Sequence, residues 1–320
     1  MDDYRKNILQ LGAQLTPKAV AVFNPPSPAL RPDGVIICGM GGSALAGEII
    51  KALKNELKIP VPVVTSQNYG LPRTDFRRPL VIAISFSGDT EETLSGFSAA
   101  LKAGMPAAAV GGGGKLKELA LKNGRPFAAF EKNGLVPRQA VGLMFYGAIA
   151  VLKRVFKGVA VPDLNKSFNS GKLENKGRSL AKMIKNRIPV VCASPRNRHL
   201  AYDWKIRFNE TAKIHAFSLS LPEMNHNELA ALGHRSGDFF FLFLQDGRDD
   251  IRLRKRMAAA SRLFQKKKIS SETIEISGEN FLERDFQTIA LADWTAYYLS
   301  LSRKVNPKET PVIEEFKKIG

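Results

Sequence analysis

Short, uninterrupted apolar runs alternate along the chain with longer stretches of mixed character. Val35-Ile36-Ile37-Cys38 is stopped by glycines, and Val61-Pro62-Val63-Val64-Thr65, Leu80-Val81-Ile82-Ala83-Ile84-Ser85, Ala107-Ala108-Ala109-Val110 and Phe127-Ala128-Ala129-Phe130 follow at similar intervals. Runs of this kind predict strands buried on both faces. Segments 44–56, 91–103 and 115–123 between them predict helices. The alternation implies a parallel sheet covered by helices. The pattern breaks near 157–172, where Lys157-Gly158-Val159-Ala160-Val161-Pro162-Asp163 leads into Asn165, Ser167, Asn169, Ser170 and Gly171, a linker-like composition. It then restarts. Ile188 to Ala193, Phe239 to Leu244 and Thr273 to Ile276 read as strands. His199 to Ala212 reads as a helix with Leu200, Trp204, Phe208 and Ala212 on one stripe. The expected fold class is α/β with two tandem units, each a parallel sheet flanked by helices. The first covers 1–157, a linker 158–172, and the second 173–320, ending in a C-terminal helix.

The 320-residue length agrees with two domains of roughly 150 residues each. A formal net charge of +18 admits nucleic acid, anionic membrane or small anions as partners. The charge is spread along the chain. Its densest patches, Arg252-Leu253-Arg254-Lys255-Arg256 and Lys266-Lys267-Lys268, fall on a helix-like stretch and read as a solvated face. With two Trp, six Tyr and no aromatic–basic repeat, base stacking is disfavoured. Cys38 and Cys192 each end an apolar run and read as buried free thiols. The four histidines include no pair at metal-ligand spacing, which disfavours a metal-dependent mechanism; no cofactor is expected. No apolar run approaches the roughly 20 residues that cross a bilayer. The acidic start, Met1-Asp2-Asp3, does not resemble a secretory signal, and a cytoplasmic location is expected.

Two loops carry candidate chemistry. Gly39-Met40-Gly41-Gly42-Ser43 joins the first strand to a helix. Glycines let backbone approach a phosphate, the helix start supplies N–H groups and partial positive charge, and Ser43 adds a hydroxyl. Gly39 to Ala44 also fits the dinucleotide pattern GxGxxA, which leaves a nicotinamide-dependent oxidoreductase open. Against it, Val61 to Thr74 holds no Asp or Glu for a ribose. A P-loop is excluded, because no Gly-Lys-Ser/Thr follows. The second loop, Ser85-Phe86-Ser87-Gly88-Asp89-Thr90-Glu91-Glu92, ends another strand. Ser85, Ser87 and Thr90 can donate to one anion at the following helix start, with Asp89 as N-cap and Glu92 completing a capping box. Asp89, Glu91 and Glu92 oppose an anion unless they point outward.

Together these loops resemble the phosphosugar-binding loops of SIS (sugar isomerase) domains. Arg207-Phe208-Asn209-Glu210-Thr211-Ala212-Lys213 and Leu221-Pro222-Glu223-Met224-Asn225-His226-Asn227-Glu228 are similar to signatures of the bifunctional phosphoglucose/phosphomannose isomerase family, as are Pro137-Arg138 and Thr310-Pro311 through Glu315-Phe316-Lys317. Asp89 and Thr211 stand where that family often has Asn, and Ala230-Ala231 where Gly-Trp is more usual. These departures bear on substrate preference and rate.

The resemblance implies interconversion of glucose 6-phosphate or mannose 6-phosphate with fructose 6-phosphate by proton transfer between C1 and C2 of an enediol. It implies phosphate binding through Gly41, Gly42, Ser43, Ser85, Ser87 and Thr90. Glu210 becomes the base, a role carboxylates fill well. Arg138 becomes the stabiliser of the enediolate, since guanidinium stays charged. His226 opens the sugar ring, imidazole ordinarily titrating near neutrality. It comes from the partner subunit, so a homodimer with shared sites is implied. Thr310, an N-cap before Pro311 at the first helical position, leaves room around C2, and Lys317, two turns on, assists ring opening. The plainer alternatives are a helix-terminal carboxylate for Glu210, a salt bridge for Arg138 and a surface helix for 310–317. A non-catalytic sugar-phosphate regulator on the same scaffold is the other functional reading, and a nucleic-acid-binding protein a further one.

Overall fold

The computed structural model describes residues 3–164, 167–234 and 237–319. Asn165, within the stretch expected to be a linker, lies outside them. The chain forms two compact units, Gln10–Asn169 and, joined to the N-terminal residues Met1–Leu9, Ser170–Gly320. They are called the N-terminal and C-terminal units below. Two short helices open the chain, α1 (Asp3–Leu9) and α2 (Leu11–Gln14); the division between units falls between them.

The N-terminal unit is a six-stranded sheet built from β1 (Ala21–Phe23), β2 (Val35–Cys38), β3 (Val63–Ser66), β4 (Leu80–Ser85), β5 (Ala107–Gly111) and β6 (Phe127–Ala129). Its order is β1-β6-β5-β4-β2-β3. All pairings are parallel except β1 with β6. The antiparallel edge strand β1 was not read from the sequence; its three residues, Ala21-Val22-Phe23, are apolar but alternate between exposed and half-buried. β2, β4 and β5 are buried throughout, which accounts for their unbroken apolar runs. Helices α3 (Gly41–Ala52), α4 (Glu91–Lys102), α5 (Gly114–Lys122) and α6 (Val141–Val155) cover the sheet. α6 is buried on nearly every side, so its sequence lacks the amphipathic stripe that would have announced it. Val159, Leu164 and Phe168 are also buried here, and Tyr146 donates a 3.3 Å hydrogen bond to the Pro162 carbonyl.

The C-terminal unit has a fully parallel sheet, order β10-β9-β7-β8, made of β7 (Ile188–Ala193), β8 (Phe217–Ser220), β9 (Phe239–Asp246) and β10 (Ser271–Ile276). Around it lie α7 (Glu174–Ile184), α8 (Arg198–Arg207), α9 (Ile251–Lys266), the long α10 (Phe281–Ser302) and α11 (Pro311–Ile319). One core cluster joins Phe241, Phe243 and Phe264, with ring centroids 4.6 and 5.3 Å apart in edge-to-face contacts. Met257, Ala260 and Phe264 form the buried stripe of α9, while Arg252, Lys255, Arg256 and Lys266 are exposed. The densest basic patch is thus the solvated face of an amphipathic helix. Among the described residues no helix is long and apolar enough to cross a membrane.

Helix α1 is fastened into this unit. Arg5 donates two hydrogen bonds, of 2.9 and 2.7 Å, to the Glu174 carboxylate, which also accepts from the Tyr298 hydroxyl. The Arg5 bond, chiefly, holds Glu174 below the usual carboxylate range. A carboxyl whose pKa is depressed in the folded state contributes stability above its unfolded value and loses it as pH falls through the folded one. Glu174→Gln should therefore lower the melting temperature at neutral pH and flatten the loss of stability below about pH 4, as thermal melts across pH would show. Truncating the aromatic cluster with Phe264→Ala should cost the C-terminal unit about 3–5 kcal/mol in denaturant unfolding.

Candidate active site

In open α/β sheets ligands bind beyond the carboxyl ends of the strands where the strand order reverses. In the N-terminal unit β2 leads through α3 to β3 on one side, and β4 lies on its other side. The loops at that crevice are the two singled out by their glycines and hydroxyls.

After β2, the chain enters α3 at Gly41, three residues before the expected start. Met40 is the extended N-cap and offers no side-chain acceptor to the first turn. Gly41 has φ +50°, the left-handed region that favours glycine. A Cβ at Gly42 would lie 2.7 Å from the Arg138 backbone nitrogen, so the turn Pro137–Gln139 sits directly on this helix start. Arg138 is buried there, 1% exposed. Ser43 accepts a 3.1 Å hydrogen bond from the Phe86 N–H and ties the two loops together. A hydroxyl that accepts one bond retains its own proton to donate.

After β4 the hydroxyls converge. Ser85 and Thr90 share a 3.0 Å hydrogen bond, Ser85 and Ser87 one of 3.4 Å, and Ser85 accepts 3.0 Å from the Gly88 N–H. Helix α4 begins at Glu91 with Thr90 as N-cap and no side-chain cap bond. The expected capping by Asp89 is not what forms. Asp89 is exposed and its carboxylate accepts from the Lys115 N–H at 3.0 Å, in the first turn of α5. There the helix dipole favours a negative charge, and the N-cap of α4 makes no side-chain bond to its first turn.

A third loop, Gly111 to Gly114, completes the cradle and escaped the sequence reading. Gly88 has φ +88°, and a Cβ on it would stand 1.8 Å from the Gly113 carbonyl oxygen. Leu116 donates to the Gly88 carbonyl at 2.9 Å, and Lys132 reaches the Ser87 carbonyl at 3.4 Å. Four consecutive glycines after a strand were the available signal. The site thus gathers Gly41, Gly42, Ser43, Ser85, Ser87, Thr90 and Arg138: hydroxyls, two helix starts without a side-chain cap and one cation, a chemistry suited to a phosphate group.

The matching crevice of the C-terminal unit, between β7 and β9, is different. Ser194 donates 2.8 Å to Asp249, Asn197 donates 3.2 Å to Asp246, and Asp246 also accepts from Arg248 and Arg284. Carboxylates stand here where the other unit has hydroxyls, a lining less suited to an anion.

Glu210 lies in the C-terminal unit. The expected helix from His199 to Ala212 is α-helical only to Arg207 and widens into a π-turn, Phe208–Ala212, closed by Lys213 at φ 55°. Such turns are rare and frequent at functional sites. Glu210 and Thr310 line one cavity of about 690 Å³, with Asn209, Lys213, His215 and Asn306. Neither His226 nor Lys317 lines it. His226 is exposed, following the turn Glu223–Asn225, and Lys317 is exposed and paired with Glu314 at 2.8 Å. Thr310 precedes α11 as expected, its carbonyl accepting from the Ile313 and Glu314 N–H groups. Both cysteines are buried, and burial pushes the Cys38 thiol up to about 12, far from reactivity. Among the described residues no group of three or more His, Cys, Asp or Glu is placed to hold a metal.

Residues 173–319 match the family described as Bacterial phospho-glucose isomerase C-terminal SIS domain. The chain is 31% identical to the bifunctional phosphoglucose/phosphomannose isomerase of Aquifex aeolicus over 291 residues, 89% of each chain. It is 33% identical to the one from Thermoplasma acidophilum over 294 residues, again 89% of each. A hypothetical protein of Thermus thermophilus shares the fold at TM-score 0.70 and 15% identity, over 99% of this chain and 86% of that one.

Ser85→Ala removes the hydroxyl on which Thr90, Ser87 and Gly88 converge. Inorganic phosphate should then bind about 10-fold more weakly by calorimetry, the equivalent of about 1.5 kcal/mol for a hydrogen bond to a charged group.

Proposed function

This chain belongs to the bifunctional phosphoglucose/phosphomannose isomerase family, and from that premise we propose that it interconverts glucose 6-phosphate and mannose 6-phosphate with fructose 6-phosphate. The observation that carries this reading is the cluster of Ser43, Ser85, Ser87 and Thr90 hydroxyls at the β2/β4 crevice, joined by the 3.1 Å bond from Phe86 to Ser43. A dianionic phosphate held by fixed donors leaves the sugar's other end to the reacting groups. Tight phosphate binding with a loose grip on C2 suits a site that accepts both epimers.

In the proposed reaction Glu210 removes the proton from C2 of the aldose, or C1 of the ketose, and returns it to the neighbouring carbon. The carbonyl oxygen becomes an enediolate oxyanion, which Arg138 stabilises with the donors of its guanidinium. His226, donated by the partner subunit, and Lys317 open the ring. Thr310, which shares a cavity with Glu210, leaves room at C2. The reading includes a homodimer with shared sites, working in the cytoplasm without a metal or other cofactor.

Glu210→Gln, measured by a coupled assay in both directions, should lower kcat by about 100- to 10,000-fold with phosphate binding intact. Full activity in that variant would remove Glu210 from the role of base. A wild-type protein that binds fructose 6-phosphate without converting it would replace the enzyme by a sugar-phosphate regulator. Mixing inactive Glu210→Gln and His226→Ala proteins should restore part of the activity, because shared sites leave one intact pair in each mixed dimer; no recovery would argue for sites contained within one chain.

A further inference from the structure

The π-turn that carries Glu210 is held by groups next to it in sequence and by two from distant parts of the chain, Asp293 and Tyr4. Just before it, Arg207 is 1% exposed and donates 2.7 Å to Asp203 and a second hydrogen bond to Asp293 on α10. Burial opposes its charge, but the two carboxylates outweigh that and hold its pKa above the ordinary value. Just after it, the Lys213 ammonium donates to the Glu210 carbonyl. Within it, the Thr211 hydroxyl shares a 2.8 Å hydrogen bond with the hydroxyl of Tyr4, on α1. Tyr4 and Thr211 are both fully buried. Tyr4 is itself set by its stack on Tyr297, ring centroids 6.0 Å apart and planes within 6°, and by the neighbouring Arg5–Glu174 pair.

A wide helical turn is an unfavourable local conformation that persists only where its surroundings hold it. Thr211 adjoins Glu210, so the direction of the Glu210 carboxylate depends on where the Thr211 backbone is held. A base displaced by about 1 Å from its carbon acid loses on the order of 100-fold in rate. We propose that Tyr4 is a positioning residue for the isomerase reaction: its hydroxyl, delivered by the N-terminal helix, fixes Thr211 and thereby aims Glu210. This rests on Glu210 being the base. It assigns the first helix of the chain a part in catalysis by the C-terminal unit, 207 residues away in sequence.

Tyr4→Phe keeps the ring and its stack on Tyr297 and removes only the hydroxyl. Thr211→Val removes the other partner with little change of shape, and Thr211→Ser keeps the hydroxyl. With the full chain and fructose 6-phosphate as substrate, Tyr4→Phe and Thr211→Val should each lower kcat by about 10-fold or more, with KM changed less than about twofold. The double variant should be no slower than either single one, and Thr211→Ser should retain most of kcat. Assays well below the melting temperature of every variant separate this from loss of fold. If Tyr4→Phe and Thr211→Val lower the melting temperature but leave kcat within about twofold of wild type, the contact is structural and the inference fails. Additive losses in the double variant would overturn it equally. Should Tyr4→Phe not fold, the Thr211→Val and Thr211→Ser pair decides alone. Glu210→Gln is the control: full activity there defeats the assignment of the base, whereas an inactive Glu210→Gln beside a fully active Tyr4→Phe defeats only the positioning role.

Discussion

A phosphate dianion demands many fixed donors, and a polypeptide supplies them most cheaply where a strand turns directly into a helix. The helix start leaves N–H groups without backbone partners, the dipole favours negative charge, and hydroxyls on the turn add donors. On the proposed reading this constraint accounts for the N-terminal unit. β2 and β4 must be adjacent and parallel for their two loops to face one crevice, and α3 and α4 must start there. Gly42 must lack a side chain because the Pro137–Gln139 turn occupies the space, and Gly88 because the Gly113 carbonyl does. Asp89 is drawn to the start of α5, where its carboxylate accepts from the Lys115 N–H.

The C-terminal unit repeats the layout of parallel sheet and flanking helices with a different use. Its own strand-end crevice is occupied by the Ser194, Asn197, Asp246 and Asp249 network. In the proposed reaction its part is rigidity around the Glu210 carboxylate. Breaking one partner of a buried ion pair leaves an uncompensated charge, which costs about 3–5 kcal/mol. The Asp203–Arg207–Asp293 arrangement therefore resists distortion strongly, and it lies immediately before the turn that carries Glu210.

Much of the fold was legible where the signal was local. β2, β4 and β7 occupy the residues that their apolar runs predicted, because a strand buried on both faces has no polar interruption to blur its ends. β1 and β8 went unread: one is a three-residue edge, the other an edge strand of alternating Phe, Ser and Leu with no buried residue. The π-turn was read as helix, since Phe208 and Ala212 keep the spacing of a helical stripe. The two loops proposed to hold the phosphate were legible because each lies on a few consecutive residues. Glu210, Arg138 and His226 were reached only through family resemblance. Tyr4 carried no signal at all, its partner being 207 residues away.

The central claim is that the sugar's phosphate is held by the hydroxyl cradle of the N-terminal unit. A crystal structure of the protein with fructose 6-phosphate bound tests it most directly. The account predicts phosphate oxygens within hydrogen-bonding distance of the Ser43, Ser85, Ser87 and Thr90 hydroxyls. A phosphate found instead beside Ser194 and Asn197, or anywhere apart from those hydroxyls, would contradict it.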